Sequence, residues 1–574
     1  MRIWCFIFTC FIGLNCFAQR YKTPFEISGK TATSTYEECR DWYRNLQAGF
    51  AEIATFDSIG KGDDGHPIYV FRIYTAQNAN AVKVLVLNNI HPGEPEGTDA
   101  SMMLARDILE NEKGNWNSVL GNLDIHIICQ YNTDGTKNRG CCSRANQNGP
   151  AELGFRANAK NLDLNRDFIK CDSRNAQSFV QYFTKNKFQL FIDNHTSNGA
   201  DYQYTLTWFH TRPEKLDAAL VPIMGKLSKE LMADLSKKNI PTAPYVECYK
   251  ETPDSGIVAF WESPRFSTGY AALQHCIGYT VETHMWKPFA DRVKATYSFM
   301  QSMLLTAAVD DNAKTVYDAW RNIALEGKIH TDRTEYIAWQ LNKNKVDRIP
   351  FLGYEFSHPV HPLTGTPVLR YDRSKPWNKT INYYNYYDVM DSVEMPRIYV
   401  IPQAWKEVID LLHLNGVPTR ILSDDTLWKL RVSYIKSYET VRTPYEGHYL
   451  HFKTTTTDTT MPVWVRSGDH MIIVTEANRK FLAAVLEPRS ADSYFNWGFF
   501  DAMLQQKEWF SDYVWIDKAA EIIEKNPDLK AAFEKEKMQD PEFAKSSNAQ
   551  LLWIYRRSEF YENTHNRLPI FRMD

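Results

Sequence analysis

His91-Pro92-Gly93-Glu94-Pro95-Glu96-Gly97 joins an apolar run, Val82-Lys83-Val84-Leu85-Val86-Leu87-Asn88, to Thr98-Asp99-Ala100-Ser101-Met102-Met103-Leu104-Ala105-Arg106, whose apolar spacing is helical. A buried strand, a loop rich in Gly and Pro, and a helix make the opening of an α/β unit. Open α/β sheets bind ligands in the crevice at the carboxyl ends of their strands, so His91 and Glu94 can both turn toward one point there. An imidazole and a carboxylate fill two places of a catalytic zinc site, which takes about three protein ligands and keeps one place for water. An HxxE in a loop also arises as incidental solvated charge, so other strand ends must decide.

Working outward, two of them do. Leu123-Asp124-Ile125-His126-Ile127-Ile128-Cys129 reads as a strand running into the turn Asn132-Thr133-Asp134-Gly135. The stretch from there to Asn161 has little periodicity, and long irregular loops inside a domain are usually functional. It ends in Asn161-Leu162-Asp163-Leu164-Asn165-Arg166-Asp167-Phe168. A helix over residues 173–183 precedes the strand Phe188-Gln189-Leu190-Phe191-Ile192-Asp193-Asn194-His195-Thr196, which carries a histidine at its carboxyl end. Ile277-Gly278-Tyr279-Thr280-Val281-Glu282-Thr283-His284 repeats the pattern with a carboxylate. Upstream, residues 35–50 read as an amphipathic helix, and 51–59 with 67–75 as an antiparallel hairpin. A single strand-end histidine is commonly structural; three converging strand ends complete a ligand set.

In order and spacing these pieces resemble the zinc carboxypeptidases of the carboxypeptidase A type, over roughly residues 35–309. The resemblance implies an exported bacterial member of that family with an α/β fold, a mixed twisted sheet flanked by helices. It implies one Zn2+ per chain held by His91, Glu94 and His195, with Glu282 as the catalytic glutamate. By the same likeness Asp163 orients His91, Asn165 and Arg166 clamp a substrate's terminal carboxylate, and Arg156 stabilises the oxyanion. Arg144 competes with Arg156 for that last role, and Arg156 is preferred because it lies nearer the Asp163–Asp167 motif. The family's loop tyrosine finds its counterpart in Tyr270, twelve positions before Glu282, a spacing that departs from the family pattern; packing is the other reading of it. Arg265 in the same loop reads as a recognition residue for an acidic substrate or as a solvated charge. No residue for side-chain specificity can be placed.

The chemistry asks for these residue types on its own terms. Zinc brings the pKa of its water toward ~7 and polarises a carbonyl. Glu282 then acts as base and afterwards as acid. A guanidinium fork matches a carboxylate bidentately, which suits Arg166 to an exopeptidase clamp better than a lysine.

The chain has 574 residues, enough for two or three domains. Lys+Arg 66 against Asp+Glu 69 leaves a net charge of -3, so no global field recruits nucleic acid or an anionic membrane. Residues 1–18 read as a secretory signal ending in Cys16-Phe17-Ala18, with lipid anchoring at Cys16 disfavoured by Asn15; export to the periplasm or medium is expected, with no membrane span in the mature chain. Seven of the 10 cysteines lie beyond it, without CxxC spacing, which leaves room for one or two bridges of unreadable pairing. The expected division is a catalytic domain at 19–309 and a mixed, β-rich domain at 310–574, with strands at 383–389, 430–441, 448–456 and 471–474. A strand–helix–strand unit is expected between 397 and 422, and helices at 515–524 and 541–556.

The function expected is a zinc metallocarboxypeptidase acting on the C-terminal bond of a peptide or cell-wall muropeptide by a glutamate-assisted, zinc-bound water. The alternatives are a zinc amide hydrolase (deacylase) on the same scaffold, and a catalytically inactive peptide- or glycan-binding protein.

Overall fold

The computed structural model describes residues 21–75, 78–111, 113–324 and 333–574. The leader expected at 1–18 lies outside the described residues. The first half supplies β1 (Ala54–Lys61), β2 (Pro67–Ile73), β3 (Val82–Leu87), β4 (Leu123–Ile128), β5 (Leu190–Ser197), β6 (Leu206–His210), β7 (Thr242–Pro244), the two-residue β8 (Glu247–Cys248) and β9 (Ile257–Val258), and β10 (Ile277–His284). All but β8 and β9 form one eight-stranded mixed sheet in the order β1-β2-β4-β3-β5-β10-β6-β7.

Its middle strands β4, β3, β5 and β10 run parallel, so their carboxyl ends share one edge. Such strands are covered on both faces, and this is why they read as unbroken apolar runs. One face packs under the helices Tyr36–Gly49, Glu96–Glu110, Val221–Lys237, Phe289–Ala307 and Asp310–Ala324 through Val84, Val86, Ile127 and Ile192. The opposite face, with Leu85, Leu87 and Phe191, meets Phe179 and Phe183 of the helix Arg174–Asn186 and then Tyr399, Leu412 and Trp497 from far along the chain. One apolar core therefore runs from the eight-stranded sheet into the C-terminal half.

That half is β-rich. It contributes β11 (Thr334–Leu341), β12 (Asp347–Ser357), β13 (Arg370–Tyr384), β14 (Tyr387–Glu394), β15 (Ile398–Ile401), β16 (Arg420–Ile421), β17 (Thr426–Thr440), β18 (His451–Val465), β19 (His470–Ile473) and β20 (Phe571–Met573). Six of them make a sheet in the order β16-β19-β15-β20-β17-β18, while β12 and β13 join β9 and β8. Tyr383 stands opposite Ile257 in that shared sheet, so backbone pairing as well as side chains couples the two halves.

Local details differ from the sequence reading for identifiable reasons. The single strand expected at 383–389 is the turn between β13 and β14 with a piece of each. β12 escapes a pattern search because Pro350 and Gly353 interrupt it, both disfavoured inside strands. The helix Pro527–Gln539 buries little beyond Phe533 and so carries almost no apolar stripe to read.

Candidate metal and catalytic site

Asn89, in the left-handed region at φ 58°, turns the chain out of β3, a conformation that Asn tolerates better than most residues. The Glu94 N–H then donates to the His91 carbonyl at 2.8 Å, closing a turn that brings both side chains to the same side. Glu96, the next acid, faces elsewhere and is held by Arg292 at 2.7 Å and Thr196 at 2.6 Å. Two glycines are needed here for close approach. A Cβ on Gly93 would lie 2.4 Å from Arg144 Nε, and one on Gly97 would lie 2.5 Å from Asn194 of β5.

His91 and Glu94 from this loop and His195 from β5 present donor atoms that all lie within 4.8 Å of one another, and all three are buried. His91 Nδ1 is 3.1 Å from Glu94 Oε1, and His195 Nδ1 is 3.0 Å from Glu94 Oε2. The far nitrogens are taken: His91 Nε2 is 2.9 Å from Asp163 Oδ1, and His195 Nε2 is 2.7 Å from Asp193 Oδ2. A carboxylate behind each ring keeps the proton on Nε2 and aims the Nδ1 lone pair inward, the usual arrangement behind metal-bound histidines. The donor set fits zinc: two imidazoles and one carboxylate converge, the three protein ligands that a catalytic zinc takes beside a water. Among the described residues this is the only such cluster.

Without the metal the same charges favour a proton on the cluster, which a bound cation would displace. Burial alone would push the Glu94 carboxyl up, but His91, Arg144 and the ring hydrogen bonds outweigh it and hold Glu94 well below the carboxylate range. Burial likewise opposes protonation of His195, and Asp193 and Glu94 overcome it, raising the ring well above its ordinary value. Asp163 is held far below the carboxylate range, because His91 and Arg156 beside it override its burial.

Glu282 comes from β10, whose parallel register with β5 sets it directly opposite His195. Its Oε2 is sealed from solvent and has no hydrogen-bond partner. Burial, with the charges of Glu94, Asp193 and Glu262 outweighing that of His195, pushes its carboxyl up to about 8. An unpartnered carboxylate oxygen beside a ligand cluster has the placement and basicity of a general base.

The two competing arginines both reach Glu94, in different ways. Arg144 Nη2 donates to Glu94 Oε1 at 2.6 Å. Arg156 donates through Nη2 and Nε to Asp163 Oδ2 at 2.8 and 3.1 Å, and its Nη1 stands 3.7 Å from Glu94. Arg156 has the more exposed side chain, 42% against 18%, which leaves it the freer to meet a substrate oxygen. On the adjoining turn, Asn165 accepts the Ser267 N–H through Oδ1, leaving its amide hydrogens free. The Arg166 guanidinium lies 4.2 Å over the Phe266 ring and donates from Nη1 to the Asn165 carbonyl at 2.8 Å.

Two of the expected binding residues are corrected. Tyr270 is fully buried, stacked on Phe168, with its hydroxyl donating to Asn415 at 2.8 Å, so it is a core residue and reaches no substrate. Tyr270→Phe should lower stability by about 1 kcal/mol, chiefly through the lost hydrogen bond to Asn415 beside a longer one from Gln274, and leave kcat unchanged; urea denaturation beside a peptide assay checks both. Arg265 is neither a solvated charge nor a free recognition group. Its Nε and backbone N–H bind Asp492 at 2.7 and 3.0 Å, and its guanidinium lies over Tyr445 and Trp497.

The sequence reading gave no role to Asp193 or Glu446. Asp193 was visible in principle, because a residue two before His195 on a strand shares its face. Asp193→Asn should weaken zinc binding by roughly 10–100-fold, as measured by competition with a chelator. Glu446 comes from a tight turn in which Tyr445 and His448 exchange backbone hydrogen bonds, with φ positive at Glu446 and Gly447. Its Oε2 accepts the Asp163 N–H at 2.7 Å, while His448 holds Asp172 at 2.7 Å. A turn of the C-terminal half thus grips the segment that carries Asp163, Asn165 and Arg166. The disulfide permitted by the cysteine count joins the neighbours Cys141 and Cys142.

The zinc carboxypeptidase family matches residues 39–217, a span that includes His91, Glu94, Asp163, Asn165, Arg166 and His195. Carboxypeptidase 2 of Trichophyton rubrum is 21% identical over 504 residues, covering 82% of this chain and 84% of its own. Carboxypeptidase E of Caenorhabditis elegans is 29% identical over 172 residues, 26% of this chain and 35% of its own. A solved metallo-carboxypeptidase of Pseudomonas aeruginosa is 17% identical, with a TM-score of 0.36 over 48% of this chain and 69% of its own.

Proposed function

We infer that this chain, a zinc carboxypeptidase in its residues 39–217, hydrolyses the C-terminal peptide bond of a peptide or cell-wall peptide. His91, Glu94 and His195 would hold the metal. When bound, zinc supplies Lewis-acid polarisation of the scissile carbonyl and acidifies a water. Glu282 takes a proton from the attacking water and hands it to the leaving amine, as base and then as acid. Arg156 offers a fixed positive charge to the oxygen on which negative charge develops. The Asn165 amide and the Arg166 fork bind the terminal carboxylate and set the distance to the cleaved bond.

The observation that carries this reading is the pairing of Glu282 with His195 across β10 and β5, beside a turn on which Asn165 and Arg166 keep donors for a carboxylate. Those donors suit the free C-terminus that an exopeptidase holds; turnover of N-acyl-amino acids against peptides separates it from a deacylase, whose substrates carry the same carboxylate. Export through the expected leader fits a peptide or wall substrate. The test is mass spectrometry of one peptide with a free and with an amidated C-terminus. Loss of single residues from the free acid alone is expected; equal cleavage of both would overturn the exopeptidase reading.

A further inference from the structure

Cys141 and Cys142 are neighbours in the chain and are joined to each other. A disulfide ordinarily stabilises a fold by closing a long loop of the unfolded chain. Two adjacent residues close none, so this bond adds almost nothing to stability by that route. What it fixes is local: a small ring that holds the peptide bond between the two residues and limits the backbone there. Both cysteines are exposed. Of the five free ones among the described residues, Cys39, Cys129, Cys171 and Cys276 are buried, and burial pushes the thiol of the half-buried Cys248 up to about 12. A dissolved reductant therefore meets the 141–142 pair first. Exposed disulfides are the labile, regulatory kind rather than the structural kind.

The bond sits where backbone support is thin. Between Lys137 and Leu164 the chain has no helix or strand, and one backbone pair, Gly140 with Leu153, closes the loop at its base. Inside that loop the side chains reach the ligand cluster directly. Arg144, two residues beyond the ring, donates to Glu94 at 2.6 Å, and Gln147 donates from Nε2 to the Gly93 carbonyl at 2.7 Å. The Asn148 N–H donates to the Met285 carbonyl at 2.9 Å, just past Glu282. The loop thus ties the turn of His91 and Glu94 to the end of β10, and the ring is the covalent restraint at its start. Groups that hold a metal ligand from behind act through their fixed position, and loosening them commonly costs 10–100-fold in affinity or activity.

We propose that Cys141–Cys142 is a thiol-reducible site that governs the catalytic centre: closed, it fixes the loop with Arg144 on Glu94; opened by a small thiol or dithiol, it releases that loop and lowers turnover. The proposal rests on the carboxypeptidase reading for its activity readout alone. A thiolate attacks one sulfur, the S–S bond breaks, and the other cysteine leaves as a thiolate and takes up a proton. A second thiolate attacks the reagent's sulfur in the mixed disulfide and frees the second cysteine. Both electrons come from the reductant, which departs as its own disulfide. An oxidised disulfide of the same class closes the ring again by running the exchange backwards.

The test treats the zinc-loaded full-length chain with tris(2-carboxyethyl)phosphine, which leaves no mixed disulfide, and labels thiols on the folded protein with a maleimide. New thiols at Cys141 and Cys142, a roughly ten-fold fall in kcat/KM with zinc retained, and recovery with oxidised glutathione are expected. The Cys141→Ser/Cys142→Ser variant should start at the lowered rate and ignore the reductant, and Arg144→Ala should lose no further activity on reduction. Full activity with both thiols labelled, no thiol gained at either position, or the same fall in the serine variant or in Arg144→Ala overturns the proposal. Hydrogen exchange judges the loop without turnover: faster exchange over 141–149 after reduction supports the proposal, and unchanged exchange overturns it. Should no peptide lose its terminal residue, the carboxypeptidase reading fails while hydrogen exchange still decides the loop.

Discussion

Glu282→Gln is expected to lower kcat by roughly 10²–10⁴-fold, the range for removing a positioned acid–base group, while zinc content stays at one ion per chain. The amide keeps the size of the side chain and the pairing of β10 with β5, so the ligands have no reason to move. What it loses is the ability to take a proton. Its carboxyl, pushed up to about 8 by burial and the acids around it, must be ionised to act as base. Activity therefore rises with pH as that proton leaves, with a midpoint below 8 in the zinc-loaded enzyme because a neighbouring dication favours the charged form. The rising limb should vanish from the residual activity of the variant. Peptide turnover with metal analysis by mass spectrometry reads both effects, and a kcat within a few-fold of the parent removes Glu282 from the mechanism.

Arg156→Ala should lower kcat by about 10²–10³-fold, with KM changed far less, because a fixed charge aimed at a developing oxyanion acts mainly in the transition state. Its guanidinium is held in place by Asp163, the same carboxylate that orients His91, so the charge is pre-positioned. Arg144→Ala should have the smaller effect, since that side chain spends its charge on Glu94. Steady-state kinetics of the two variants side by side decide the assignment, and a larger loss of kcat in Arg144→Ala would exchange their roles.

The convergence of His91, His195 and Glu282 was legible because His195 and Glu282 close apolar runs and His91 follows one, where a polar side chain stands out and topology fixes its edge of the sheet. His195 and Glu282 needed no knowledge of loops. Tyr270 and Arg265 failed for the opposite reason. Both come from a segment between strands, where spacing in sequence says nothing of direction, and long-range partners decided them: Asn415 for one and Asp492 for the other. The strands β11 and β12 were likewise hidden, β12 by its proline and glycine, whereas most of β17 and only the first part of β18 were legible, the run of Thr and Asp over 454–460 hiding the rest.

The turn that carries Glu446 sets a practical boundary on dissection of this chain. Asp163 receives its backbone acceptor from a residue 283 positions further on, and the sheet beneath it shares apolar packing with Trp497. A shortened form ending near residue 309 would keep His91, Glu94, His195 and Glu282, yet lose the brace on the loop whose Asp163 holds His91 and Arg156. Such a fragment would be a reagent for metal uptake rather than a minimal enzyme, and screens for compact variants should trim elsewhere.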